Sequence, residues 1–293
     1  MSQPQTKPRD NLHRSISGSL EIGPHRYRVD FSQAFDISIG HTEGVRCFNC
    51  SGASAEPVVI KGEQGEVLFE GTVASGGNVN CYEVTISPHI SGTHTEHVGH
   101  LQREFLPVGD ILAEQYHVAY LVSVEPQLVN GDALLADGDK VVTRSQLESA
   151  LSSLSPAPEA VIIRTLPNSL DKRTCDYSGT NPPYMHYAAA DYLRELGVLH
   201  LLIDLPSADR EQGELFAHRI FFQFPLDQHS LTPVPGLENV PSESRTNCTI
   251  TELVYVPDNV RDGLYLLNLT AVTIPGDAAP TRPIIYPLEL LES

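Results

Sequence analysis

Three apolar runs fix the kind of fold open to this chain. Residues 116–124, 160–165 and 198–203 are apolar at nearly every position rather than at alternate ones, the pattern of strands buried on both faces. Between the second and third runs, Met185, Ala189, Tyr192, Leu193 and Leu196 share one face of a helix over residues 184–196, and Gly197 supplies its stop. Strand, helix and strand in that order predict a right-handed crossover between parallel strands. Thr143-Arg-Ser-Gln146 fits a capping box and opens a further helix through about Leu154. Residues 108–115 read as a short helix.

Both ends of the chain are strand-rich. Residues 26–31, 35–39, 44–48, 57–60, 67–73 and 80–86 are short segments of Val, Ile, Phe and Tyr divided by Gly, Ser, Asn and Pro, and the pattern returns at 248–255, 264–274 and 284–291. The expected class is therefore β-rich α/β. Residues 21–293 are read as a single domain behind a tail over residues 1–20, with a proline-rich loop or insertion at residues 224–247.

Composition closes off several function classes. With 293 residues, 41% hydrophobic and 19% charged, the chain can bury a substantial core and is not of the disordered type. Its net charge of −18 argues against a nucleic-acid partner, which needs clustered Lys and Arg. No run of 18 apolar residues predicts a membrane-spanning helix. The first ten residues lack the apolar stretch of a signal peptide, so the cytoplasm is expected. The five cysteines are odd in number and scattered, unlike a disulfide framework. Cys47-Phe-Asn-Cys50 has no second pair for a zinc ribbon and no strand-then-helix setting for a redox site, so reduced structural thiols are expected.

Chemistry concentrates in residues 87–100. His94, Glu96, His97 and His100 fall within seven residues, where average composition would place about 0.3 histidines. Imidazole and carboxylate hold zinc, manganese or iron, and imidazole also moves protons near neutral pH. On a helix, His94, His97 and His100 would share a face. In an extended segment His94, Glu96 and His100 share one side and His97 points away, and Pro88, Gly92, Thr93 and Thr95 favour that reading. A catalytic zinc or manganese site takes at least three protein ligands and keeps an open position, so distant residues must complete it. The spacing is not His-Glu-x-x-His. A polar loop with three surface histidines is the plain alternative.

Ser91-Gly-Thr-His94-Thr-Glu96-His-Val-Gly-His100 resembles the His-x-Gly-Thr-His-x-Asp-x-Pro-x-His signature of the cyclase superfamily, which includes bacterial kynurenine formamidases and isatin hydrolases. Leu202-Ile-Asp204-Leu-Pro-Ser207-Ala-Asp209, Ala217-His218-Arg219 and Thr251-Glu252-Leu253 resemble later segments of that family in the same order, as do residues 269–277 and 281–284. The resemblance implies a swivelling β/β/α domain. It implies one divalent zinc or manganese ion held by His94, Glu96, His218 and Glu252, with His100 as acid/base. The reaction implied is hydrolysis of a small-molecule amide, formamide, lactam or ester by a metal-activated water, in a homodimer or larger homo-oligomer.

The departures carry information too. The signature's first His is Ile90, with His89 one residue out of register so that a local bulge would be needed to bring it in. Its Asp is Glu96 and its Pro is Val98. The chain has no Trp for the aromatic wall of formamidases. These features point away from kynurenine formamidase itself and toward a one-metal site. A non-catalytic binding or assembly protein of the same fold, lacking a ligand at Ile90, is the alternative. Asp204, Ser207 and Asp209 are expected to organise their loop through hydrogen bonds to the backbone. Tyr184 and His186 are expected to pack on a helix face, and His97 to lie outside the ligand set or at the surface.

Overall fold

In the computed structural model, which describes residues 15–103, 106–112, 114–224 and 243–292, the apolar runs form the middle of an eleven-stranded sheet. Tyr116–Val124, Ala160–Thr165, His200–Ile203 and Thr249–Glu252 lie side by side and parallel. His94–His97 and then Ala278–Pro280 extend one edge in antiparallel register. Toward the other edge come Gly263–Asn268, Ile284–Glu292, His25–Asp30 and Ser17–Ile22, all antiparallel, with Phe35–Asp36 also pairing to Ile284–Glu292.

Side-chain alternation divides each central strand between two cores. Val161, Ile163, Leu201 and Ile203 pack with Leu147, Leu193 and Phe221 from the helices Arg144–Leu151, Tyr187–Glu195 and Phe216–Phe221. Ala160, Ile162 and Leu202 point the other way, onto Ile37, Val254, Leu267 and Ile285. With both faces covered, most positions of these strands are apolar, and the buried exceptions, such as Arg164 and His200, have polar partners. The capping box forms as read: Thr143 Oγ1 accepts from Gln146 N, and the Gln146 side chain accepts from Thr143 N at 2.9 Å.

Several boundaries differ from expectation. Residues 1–14 lie outside the described residues, but a tail reaching residue 20 is too long. Ser17–Ile22 pairs with His25–Asp30 through a tight turn at Gly23, whose φ of 57° suits glycine. Of the expected loop at 224–247, residues 225–242 lie outside the described residues. Beyond them Arg245 donates to the carbonyls of Phe221 and Val198 at 2.9 and 2.6 Å. The helix expected from residue 184 is Tyr187–Glu195, capped by His186, which accepts from Ala188 N. Tyr184–Met185 instead pairs in parallel with Val141 and Val142, because the Tyr184 hydroxyl has a buried partner in Asp139. The helix expected over residues 108–115 is one 3₁₀ turn, Val108–Asp110. Two two-stranded ribbons, Ser54–Pro57 with Tyr82–Thr85 and Val59–Lys61 with Val67–Glu70, stand apart from the main sheet. No helix among the described residues is long and apolar enough to cross a membrane.

Candidate active site

His94 and Glu96 are two residues apart on one strand, so their side chains leave the same face. Glu252 lies directly opposite His94 in the antiparallel pair, and its Oε2 is 3.4 Å from His94 Nε2. The opposite face is fastened by hydroxyls. Thr95 Oγ1 meets Thr251 Oγ1 at 2.7 Å, while Thr93 Oγ1 accepts from Ile39 N at 2.7 Å and donates to the Leu253 carbonyl. Gly92 is set by close approach: a Cβ there would sit 2.8 Å from His41 N. His94 Nδ1 donates to the Gly92 carbonyl at 3.1 Å, which fixes the ring. Its Nε2 is buried with no hydrogen-bond partner and is turned toward the Glu252 carboxylate.

His218 arrives on the helix Phe216–Phe221, and Asp209 places it. The Asp209 carboxylate accepts from Ala217 N at 2.8 Å and His218 N at 3.0 Å, satisfying the free donors of the helix start. The same carboxylate contacts His218 Nδ1 at 2.6 Å and so aims Nε2 at Glu96 Oε1, 2.5 Å away. His218 Nε2 is also 3.5 Å from Glu252 Oε1, and that oxygen accepts from Ala208 N at 2.6 Å. Asp209 therefore does more than order its loop. Asp204 keeps to that simpler task, accepting from Thr165 N and from Lys172 Nζ at 2.8 Å.

Two residues absent from the expected ligand set join the cluster. His89 Nδ1 is 2.9 Å from Glu96 Oε2, and its Nε2 is 3.1 Å from Asp277 Oδ2. A single helical turn, Pro88–Ser91, achieves this in place of the expected bulge. His100 Nδ1 lies 2.7 Å from the same Asp277 oxygen. Asp277 reaches the site because Ala278–Pro280 is the next strand beyond His94–His97, a neighbour relation without trace in the spacing of the sequence. His97 turns away as the extended reading requires, yet it is fully buried rather than at the surface. Its ring bonds the Leu106 carbonyl at 2.9 Å and accepts from Gly99 N at 3.0 Å. Tyr184 and His186 stay out of the cluster, occupied by Asp139 and Asp132.

The electrostatics are those of a caged anion. Burial opposes ionisation of Glu96, but the imidazoles of His100 and His218 and hydrogen bonds from His218 and His89 hold its carboxyl well below the usual carboxylate range. Burial likewise opposes a charge on His218, and Glu96 and Asp209 overcome it and hold the ring well above its ordinary value. His89 follows the same pattern: against burial, its bonds with Asp277 and Glu96 raise it to about 10. Asp277 is held below the usual range by hydrogen bonds from His100 and His89.

A cavity of about 330 Å³ opens on this cluster, with Glu96, His100 and His218 on one side and Phe48, Ile90 and Leu215 as apolar walls. Phe48 and Leu215 hold left-handed backbones, φ 58° and 55°, strain of a kind found where side chains are positioned for function. Ile90, the residue in place of the signature's first His, is thus a wall of the cavity. Cys47 supports this turn from beneath, donating to the carbonyls of His89 and Ile90 at 3.5 and 3.2 Å. Burial pushes its thiol up to about 12, the property of an inert structural cysteine.

Residues 29–210, more than half of the chain, match the family described as putative cyclase. A kynurenine formamidase of Bacillus cereus is 26% identical over 215 residues, which cover 72% of this chain and 82% of that protein. A predicted metal-dependent hydrolase from Bacillus stearothermophilus superposes with a TM-score of 0.53 at 16% identity, covering 87% of this chain and 98% of its own. An isatin hydrolase A from Ralstonia solanacearum gives 0.53 at 13% identity, covering 87% and 91%. The likeness to these solved structures is one of fold, a strand-rich α/β architecture.

Proposed function

The chain belongs to the cyclase family, and on that premise we propose that it is a metal-dependent hydrolase cleaving the C–N bond of a small amide. The observation that carries the proposal is the His94 ring, whose Nε2 is buried, unpartnered and 3.4 Å from Glu252 Oε2. Two donors each about 2.1 Å from a shared tetrahedral ion stand roughly 3.4 Å apart. The 3.5 Å between His218 Nε2 and Glu252 Oε1 meets the same measure. Ligand atoms of Glu96, His218 and Glu252 all lie within 4.8 Å of one another, as do those of His89, His94 and Glu96. Two carboxylates and two imidazoles are a donor set that suits zinc or manganese, a bound cation displacing the His218 proton. His94, Glu96, His218 and Glu252 are the proposed ligands of one ion, with His89 adjoining at Glu96.

Such a cation supplies a Lewis acid for the scissile carbonyl and lowers the pKa of water toward about 7. The chain's own groups do the rest. Asp209 fixes the His218 ring, and the Gly92 carbonyl fixes that of His94. Asp277 engages His100 Nδ1 at 2.7 Å, which leaves Nε2 as the nitrogen that passes a proton to the departing amine. The apolar walls at Phe48, Ile90 and Leu215 limit water around the substrate.

The non-catalytic reading rested on Ile90, and His89 weakens it by bringing an imidazole to Glu96 from the neighbouring position. The proposal also places the protein in the cytoplasm, where its five cysteines, all free, stay reduced. It further includes a homodimer or larger homo-oligomer. Leu68 and Val84 on the two ribbons are well over half exposed, apolar surface of the kind a second copy covers, and light scattering on the purified protein tests this.

Metal analysis of protein purified without chelator tests the main reading, with close to one zinc, manganese or iron per chain expected. That metal is expected to be lost in the His94→Ala, His218→Ala double variant, and hydrolysis of simple formamides to be lost with it. Metal-free protein that also fails to take up any of the three ions would refute the proposal.

A further inference from the structure

Arg210 is the cation of the cavity not consumed by the chemistry above. It follows directly after Asp209 and lines the same space as His100, His218 and Glu252. Its Nε donates to Asp139 Oδ2 at 2.9 Å. Asp139 is 97% buried, 3% of its surface remaining exposed, and also accepts from Tyr184 Oη and Asn181 Nδ2, both at 2.8 Å. Three donors thus fix one carboxylate, and that carboxylate fixes the inner edge of the guanidinium. The Arg210 side chain remains 40% exposed, and among the described residues its terminal nitrogens have no hydrogen-bond partner. A planar fork held at Nε and open at Nη1 and Nη2 is the geometry that receives a carboxylate in two parallel hydrogen bonds.

We propose that Arg210 binds a carboxylate of the substrate, so that the amide hydrolysed here is an anionic one. The inference rests on the amide-hydrolase reading and adds the substrate class. Size and surface agree with it: about 330 Å³ is near the lower end of small-molecule cavities, enough for one ring between Arg210 and the histidine cluster, with Phe48, Ile90 and Leu215 to pack against it. Glu211 also lines the cavity and works against an anion. Its Oε2 is engaged by Gly179 N at 2.9 Å and its Oε1 has no partner. It forms no ion pair with Arg210 among the described residues, so the fork is not masked. Tyr184 and Asn181 act here as positioning residues through Asp139.

The experiment compares formanilide with 2-, 3- and 4-formamidobenzoate on metal-loaded protein. For the best isomer, kcat/KM is expected to exceed that of formanilide by about 10-fold or more, the scale of a charge-assisted hydrogen-bonded pair. That ratio is expected to fall to near one in Arg210→Gln and to be partly kept in Arg210→Lys. Equal turnover of formanilide and all three isomers overturns the proposal, as does a ratio indifferent to Arg210→Gln. If no formamide is turned over, the hydrolase reading fails, and calorimetry with benzoate and benzamide on the metal-loaded protein makes the same comparison. Benzoate binding weakened about 10-fold by Arg210→Gln supports a carboxylate receptor; benzoate binding that is absent, no tighter than benzamide, or unchanged by the substitution overturns it.

Discussion

His89 Nδ1 lies 2.9 Å from Glu96 Oε2. The two residues sit on different elements, a one-turn helix and a strand, joined by the close-packed Gly92. A turn of helix swings residue 89 to where an extended chain would have brought residue 90. The departure at Ile90 and the position of His89 are therefore one local event, and their consequences for metal binding can be separated by substitution.

His89→Ala is expected to weaken metal affinity by about 10- to 100-fold, the usual cost of losing a group that supports a metal carboxylate. Ile90→His is expected to leave affinity unchanged, since residue 90 forms part of the apolar cavity wall while His89 holds the position beside Glu96. Competition against a chelator of known affinity measures both. An affinity gain in Ile90→His with none lost in His89→Ala would reverse the assignment.

Asp209 both caps a helix and aims His218. Asp209→Asn keeps an acceptor for the backbone donors but removes the charge behind the ring. Metal affinity is expected to drop about 10- to 100-fold, with stability reduced by about 1 kcal/mol, as for a weakened cap. Equal metal affinity in variant and parent would show that the Asp209–His218 contact has no part in metal binding.

His100 and Asp277 form one unit at 2.7 Å. His100→Gln is expected to lower kcat by about 10²- to 10⁴-fold while bound metal persists. Asp277→Asn should produce a smaller loss, and the double variant should lose little beyond His100→Gln alone, because groups acting together are not additive. Strictly multiplicative losses in the double variant would separate the two roles.

On a neighbouring strand of the sheet, paired to Thr249, His200 sets a pH limit on stability. Its ring lies against that of His117, tilted by 48° with centroids 4.0 Å apart, and bonds Thr249 Oγ1 at 2.9 Å. Burial, reinforced by His117 and Arg245, pushes it down to about 3. The unfolded chain, with an ordinary value near 6.5, takes up this proton first as pH falls. The contribution is therefore complete above about pH 6.5 and is lost progressively toward pH 3, on the order of 5 kcal/mol at most. Thermal melts between pH 7 and 4 should show a shallower decline in Tm for His200→Gln than for the parent. Identical slopes would remove His200 as the cause.

The parallel core was legible because burial on both faces favours apolar residues at successive positions, and residues 160–163 and 201–203 are apolar throughout. Thr143 and Gln146 were legible for a similar reason, since a capping box is closed within four residues. The extended reading of the histidine stretch followed from β-branched neighbours, and it puts His94 and Glu96 on one face and His97 on the other. Tyr184 misled because its apolar ring suits a helix face, whereas its hydroxyl is decided by Asp139, 45 residues away.

The sequence by itself determined the strand-rich α/β architecture and its crossover, because these depend on periodicity, and the resemblance of its motifs to the cyclase superfamily pointed to four of the residues that converge. Tertiary structure alone decided that Asp277 reaches His89 and His100, that Asp209 stands behind His218, and that Arg210 is held by Asp139. Each of those contacts joins separate elements, across 188 positions in the case of His89 and Asp277. Strand order and helix placement set such distances, and no spacing along the chain encodes them.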